Sequence, residues 1–211
     1  TNSFDDAFNG INGITVTRSS NANVQSFSIR GASEVAGGGI GNRVLLLLDG
    51  RPAITPESGG ALWNLVPLAA IERIEVIKGA YSSLYGSSAM GGIVNVITRT
   101  PDTASHSDLN LHYGAYGPAP SYTGYKRYND FFGAEFITSR KLNKWSYLFN
   151  FAGKSNDGNR EQSSFNLYNG YGKFKFDFSP NRSLQVSAMY NDIFNDTPAT
   201  WLSTTEAYSV A

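Results

Sequence analysis

Few side chains in this chain are spaced for covalent or metal chemistry. There are two histidines, His106 and His112, set apart by a distance that suits neither a metalloprotease helix nor a zinc finger. There is no cysteine, so neither a disulfide nor a thiolate zinc site can form. The glycine-rich stretch at 37–41 superficially suggests a phosphate loop. It precedes a strand rather than joining a strand to a helix, however, and no Gly-Lys-Ser/Thr follows it. The serines of 82–88 lack the strained elbow of a hydrolase nucleophile. The expectation is therefore no enzyme, no cofactor and no metal, with function carried by binding.

Composition narrows the class. The formal net charge over 211 residues is zero and no Lys/Arg-rich run appears, which argues against a nucleic-acid partner. Aromatic residues make up 13% of the chain, mostly Tyr and Phe, and there are 22 glycines. That mixture suits β-structure with many tight turns, or a barrel with aromatic girdles. No apolar run approaches the roughly 20 residues of a membrane-spanning helix, but barrel strands cross with only about 9–11.

The elements that would position any binding residue are clearest between 71 and 101. Two runs, 72–78 and 93–99, are rich in Ile and Val and predict strands. The turn-rich link 79–92 could hold one helical turn over Ser82–Tyr85, ended by Gly86. Upstream, Ser3 is placed to cap a short helix over Phe4–Phe8, and Gly10 would stop it. Strands are expected at 11–17, 27–31 and 43–48. The last is continuously apolar, as for a strand covered on both faces, and ends in the turn signal Asp49-Gly50. The stretches 18–23, 32–42 and 52–65 read as loops. The first 101 residues thus predict a small mixed α+β domain of about five short strands.

The 71–101 stretch, IERIEVIKGAYSSLYGSSAMGGIVNVITRTP, resembles the end of the plug domain of TonB-dependent outer-membrane receptors. The match runs through Ile71–Val76, Lys78-Gly79, Leu84-Tyr85-Gly86, Gly91-Gly92, Asn95 and Thr98-Arg99. Ala80 stands where the family usually has Pro, and Lys78 where Arg is common. LLLLDGRP at 45–52, the Ile-Arg-Gly triplet at 29–31 and the DDAFNGINGITV run near the start resemble further plug segments.

After Pro101 the texture changes. A polar linker at 103–107 gives way to alternation: Leu109 to Ala115, Phe132 to Phe136, Trp145 to Phe151, Gly172 to Phe178 and Leu184 to Tyr190. Links alternate between short (142–144, 179–181) and long (155–164), as barrel strands require. Lys173, Lys175 and Asp177 fall on the face away from the phenylalanines. A soluble antiparallel sandwich shows the same period. The aromatic face, the segment length and the preceding plug motif favour a transmembrane β-barrel.

The resemblance divides the chain into a plug domain at 1–101, lacking its N-terminal part, and the first strands of a transmembrane β-barrel at 102–211. Such barrels have about 22 strands when complete, so the chain reads as a fragment with most of the barrel beyond residue 211 and no recognisable TonB box. The implied function is TonB-dependent import of a scarce large solute, such as a siderophore, haem, cobalamin or oligosaccharide, across the bacterial outer membrane. The plug would act as gate. The alternative is a receptor-like subunit of a surface assembly that captures glycan or peptide with a partner lipoprotein. Implied partners are the TonB complex, outer-membrane lipids and the solute. The loops after the early strands (18–23, 32–41, 51–60) are implied to reach outward, with Arg18, Asn21, Ser33, Glu34, Arg51 and Glu57 as candidate solute contacts. Arg30 and Lys78 match family positions whose basic side chains pair with carboxylates on the barrel's inner wall.

Overall fold

The computed structural model describes residues 4–18, 25–33, 43–54, 61, 63, 66–86 and 89–196. Asn21, Glu34 and Glu57, the cap residue Ser3 and the 37–41 stretch lie outside them. The described residues up to Thr100 form one compact unit and those from Pro101 onward a second.

The first unit opens with a 3-10 helix, Phe4–Phe8, and holds two sheets. Strands β1 (Ile14–Arg18), β2 (Gln25–Ile29) and β3 (Ala32–Ser33) pair antiparallel in that order. Strands β4 (Val44–Leu48), β5 (Arg51–Pro52), β6 (Ile71–Lys78) and β7 (Gly92–Thr98) form the second sheet, ordered β5-β4-β7-β6. β4 runs parallel to β7, and the other pairs are antiparallel. A single helical turn, α1 (Ser82–Tyr85), ends at Gly86 in the left-handed region, as its sequence predicts.

β3 and β5 depart from expectation, because both fall where loops are predicted. The cause is two tight turns. Arg30-Gly31 and Asp49-Gly50 each place both central residues at positive φ (51° and 81°, 50° and 77°), the primed geometry that turns a strand directly back onto itself. The strand at 27–31 therefore closes at Ile29, and Arg30 is a turn residue. Likewise the strand expected from Ile11 begins at Ile14, after a turn through Gly13 at φ 77°.

All five residues of β4 are buried. On one face Leu45 and Leu47 pack with Ala89 and Ile93, flanked by Ile54 and Ile77. A second cluster is aromatic. Phe27 stacks on Trp63 at 4.0 Å between centroids, while Phe4 and Phe8 approach Phe27 at 6.0 and 5.0 Å. Burying such side chains contributes about 1.5–3 kcal/mol each, and this anchors the N-terminal 3-10 helix to β2. A Cβ on Gly92 would lie 2.6 Å from the Ile77 carbonyl oxygen of its own sheet and 2.8 Å from Ile29 Cδ1 of the other, so a larger residue at this position would have to displace one of them.

The second unit is a five-stranded antiparallel meander: β8 (His106–Ala115), β9 (Asp130–Leu142), β10 (Trp145–Asn156), β11 (Phe165–Ser179) and β12 (Arg182–Asn195). The strands are longer than the alternation alone marks, and β8 begins inside the predicted linker. Links of 14 and 8 residues (116–129, 157–164) alternate with two-residue turns, Asn143-Lys144 and Pro180-Asn181. Register turns sequence alternation into continuous rows. One row reads Leu142, Trp145, Phe176, Leu184 from β9 to β12, and another reads Leu109, Phe136, Phe151, Gly170, Tyr190 from β8 to β12. From the Trp145 row to the Tyr113–Phe132–Ser155 row is ten residues, about 33 Å along a strand. At the roughly 40° tilt of barrel strands this gives about 25 Å, the height of a bilayer-facing band.

The large side chains of these rows are exposed, including Leu109, Phe136, Phe149, Phe151, Phe174, Val186 and Tyr190. The opposite face carries Glu135, Asn150, Asn169, Lys173, Lys175 and Asp177. Asn150 Nδ2 donates to Glu135 Oε1 at 3.1 Å, and Lys175 Nζ lies 2.9 Å from Asp177 Oδ1. A soluble sandwich would bury the aromatic face; here the polar face is the more buried one.

A charge placed mid-belt on the apolar face is expected to cost about 2–4 kcal/mol. Phe149→Lys should thus lower the folded fraction in urea titrations followed by heat-modifiable gel mobility. Asn110→Lys, on the other face and opposite Glu135, should cost under about 1 kcal/mol.

Candidate functional site

Two of the eight predicted site residues converge. Lys78 ends β6, and its Nζ donates to the backbone carbonyl of Asn12. Arg30 donates its backbone N–H to the carbonyl of Gly13 at 2.8 Å. Its stem passes the same turn, since a Cβ on Gly13 would lie 3.6 Å from Arg30 Cγ. The Asn12-Gly13 turn therefore gathers both cations at one end of the first unit. The Arg30 side chain has no hydrogen-bond or ion-pair partner among the described residues, and the Lys78 ammonium has one neutral acceptor. An exposed guanidinium beside an ammonium attracts carboxylates, and the planar guanidinium can hold one bidentately.

The candidate solute contacts are placed differently. Arg18 is the last residue of β1, Ser33 lies in β3 and Arg51 in β5, so three residues expected in loops belong to strands. The primed turns are the reason for the last two. Arg51 pairs with Leu48, at the opposite end of β4 from Val44, which pairs with Gly92 beside Lys78. Arg51 and Lys78 thus mark opposite ends of the second sheet.

At the Arg51 end lies a polar network that sequence reading misses. Asp49 accepts the backbone N–H of Thr98 on Oδ1 at 2.8 Å and the Thr98 hydroxyl on Oδ2 at 2.7 Å. Its own N–H donates to the carbonyl of Val96 at 2.8 Å. β4 has stopped at this point, so the carboxylate takes over the bonding that a further strand residue would supply to β7. Thr98 is only 1% exposed, where a missing partner is expensive. One step along, Gly50 N–H donates to Asn95 Oδ1 at 3.2 Å, and Asn95 Nδ2 donates to Glu75 Oε2 at 3.3 Å. Arg73 Nε donates to Glu75 Oε1 at 2.9 Å. These bonds, the one from Arg73 foremost and the one from Asn95 second, hold the Glu75 carboxyl below its ordinary value of 4.5. The LLLLDGRP segment and the IERIEV and IVN–Thr segments are thereby one bonded unit. The signal was present as Asp49-Gly50, but a turn residue gives no hint of a partner at 98.

The two histidines are not gathered. His106 Nε2 lies 2.8 Å from Asp108 Oδ2 on the same strand, while His112 faces Gly133 across β8 and β9.

Comparison with known proteins fits this architecture. Residues 1–93 match the family model described as the TonB-dependent receptor plug domain. The vitamin B12 transporter BtuB of Vibrio vulnificus is 43% identical over 74 residues, covering 35% of this chain and 12% of the relative. The iron-regulated outer membrane virulence protein of Vibrio cholerae is 42% identical over 102 residues, 44% of this chain and 14% of the relative. Among solved structures, the unliganded ferric citrate transporter FecA superposes with a TM-score of 0.74 at 21% identity, over 93% of this chain and 29% of its own. The siderophore receptor PirA of Pseudomonas aeruginosa gives a TM-score of 0.67 at 23% identity, over 92% and 32%.

The chain carries a TonB-dependent receptor plug domain over residues 1–93 and has the fold of these solved receptors. It spans 12–16% of the length of the curated relatives described as B12 transporters and iron-regulated receptors. The plug-and-strand fold expected from sequence is the fold of these receptors, and their names are those of transporters and receptors, not enzymes. Its place is the outer membrane, crossed by strands; no helix among the described residues is long and apolar enough to cross.

Asp49→Asn is expected to weaken the charge-assisted bonds to Thr98 and cost about 1.5–3 kcal/mol, read as a lower urea midpoint for protease resistance of the plug. Glu75 supplies a pH test. Its folded carboxyl titrates below the unfolded one, so its contribution is fully present above pH 4.5 and is lost as pH falls through the folded value. Glu75→Gln should flatten the loss of plug stability as pH falls below 4.5, measured by the same proteolysis.

Proposed function

We propose that the receptor carrying this chain imports a scarce solute too large for porins, drawing on TonB for energy, with the first unit as the gate. The observation that carries the proposal is the pairing of a plug-type unit, closed by the Asp49–Thr98 bonds, with a five-stranded sheet whose exposed face is apolar to bilayer height. The solute classes favoured are cobalamin and ferric siderophores, by similarity to relatives named for vitamin B12 and ferric enterobactin. In this reading the loops carrying Asn21, Glu34 and Glu57, with Arg18 and Ser33 at strand ends beside them, supply solute contacts, and Arg51 does so from the start of the 51–60 segment. Arg30 and Lys78 hold the plug through carboxylates of the surrounding wall. In a bilayer the outer edges of β8 and β12 must also be paired, since lipid satisfies no backbone donor. The surface-assembly alternative, with its partner lipoprotein, gains no support from these relatives.

The test is growth of a deletion strain with cobalamin or a ferric siderophore as sole source of cobalt or iron, with the gene returned on a plasmid. Growth that returns only when TonB is intact supports import. Growth that needs a partner lipoprotein, or ignores TonB, overturns it. In the same strain Arg30→Ala with Lys78→Ala is expected to change labelled-solute uptake several-fold at an unchanged surface level, while Lys78→Arg keeps it.

A further inference from the structure

Residues 116–129, the first long link, carry two charges, Lys126 and Arg127, and no acid. The link is a built platform. Tyr116 hydroxyl donates to Asn156 Oδ1 at 2.9 Å, and Tyr116 N–H donates to the Asn129 carbonyl at 2.9 Å. Asn129 Nδ2 donates both to the Tyr125 hydroxyl oxygen at 2.7 Å and to the Gly158 carbonyl at 2.8 Å, tying this link to the next one. A turn at Ser121–Thr123 closes on Gly124 in the left-handed region. On this frame Lys126, Arg127 and Tyr128 are all exposed. Neither cation has a hydrogen-bond or ion-pair partner among the described residues. The neighbouring acids are engaged: Asp130 Oδ2 accepts the Tyr113 hydroxyl at 2.9 Å, and Asp157 Oδ2 accepts the Asp130 N–H at 3.3 Å.

The position of these cations decides what they meet. Asp130 shares its face of β9 with Phe132 and Phe136, the apolar face. Asn129 is 8% exposed and Tyr128 is 75% exposed, so Tyr128 turns to the same side as Asp130. Tyr128 joins Tyr113 and Phe132 as an exposed aromatic rim at one end of the apolar belt, and Lys126 and Arg127 precede it along the exposed link. Aromatic rings at headgroup level, followed by unpaired cations, complement a layer of anionic headgroups. A solute in the lumen would instead meet the face that carries Asn129.

We propose that Lys126 and Arg127, with Tyr128, form a binding site for phosphate-bearing lipid headgroups of the outer leaflet. The inference rests on the reading that the long links face outward. A phosphate oxygen would accept from the Arg127 fork and the Lys126 ammonium, and the acyl chains would lie against Tyr128, Phe132 and Tyr113.

The whole receptor carrying this chain, purified in detergent, is titrated with bisphosphorylated lipid A and with its dephosphorylated form, using native mass spectrometry. The parent is expected to prefer the phosphorylated lipid. Lys126→Ala with Arg127→Ala should reduce that preference roughly 30-fold, the effect of removing both cations from an anionic surface. Lys126→Arg with Arg127→Lys should retain most of it, and heat-modifiable mobility should confirm that each variant is folded. A parent that binds both forms equally, or an alanine variant that keeps the preference, overturns the proposal. So does a variant that loses solute uptake while keeping the lipid preference. Failure of the underlying orientation is read separately. This chain has no cysteine, so a cysteine introduced by Tyr128→Cys must react with an impermeant maleimide on intact cells if the link faces outward.

Discussion

The structure depends on one constraint: every backbone donor and acceptor removed from water must find a partner. The second unit meets it by regular means. Five strands of ten to fifteen residues pair in long ladders, with a bulge between Asp177 and Ser179 where β11 meets β12, so the backbone is satisfied between neighbours and only side chains face outward. In the first unit the strands are short and stop at different heights. There the same constraint is met by side chains, most visibly where the Asp49 carboxylate takes the Thr98 amide and hydroxyl beyond the end of β4. The contrast suits the two roles proposed. A lipid-facing sheet cannot open, whereas a gate closed partly by side chains can rearrange without unpicking a long ladder.

Faces follow from the same constraint. Once register is fixed, each residue of a strand has one side, and the rows run across all neighbouring strands. The apolar side reaches bilayer height with few charges; Arg140, opposite Tyr147 in the third pair from the Asn143-Lys144 turn, is close enough to the edge for its long stem to bring the charge to the interface. On the other side Lys173, Lys175 and Asp177 sit with Asn150 and Glu135, where hydrogen bonds and ion pairs keep them at little cost.

Much of this was legible in the chain. Alternation at period two marked the strands of the second unit and their apolar face, because side chains of a strand must alternate. The continuous Val44–Leu48 run marked a doubly covered strand, and Gly86 the end of α1. The two-residue strands β3 and β5 were not legible. Arg30-Gly31 offers no familiar turn pair, and Asp49-Gly50 marks a turn without revealing that the chain pairs again at once. The start of β8 was hidden because its first three residues, His106, Ser107 and Asp108, are polar on both faces. The aromatic cluster of Phe4, Phe8, Phe27 and Trp63 left no periodic trace, its members lying in helical turns and a strand far apart in sequence.

The amino-acid sequence by itself determined which backbone each segment prefers, which face of each strand is apolar and where chain reversals fall, since these depend on residues within a few positions of one another. Only the tertiary structure decided that Asp49 meets Thr98, that Asn95 bridges Gly50 to Glu75 and that Arg30 and Lys78 share the Asn12-Gly13 turn. Periodicity fixes a face but not the partner that will cover it. Partners separated by 17 to 66 residues are chosen by strand order and register, which a local pattern does not contain.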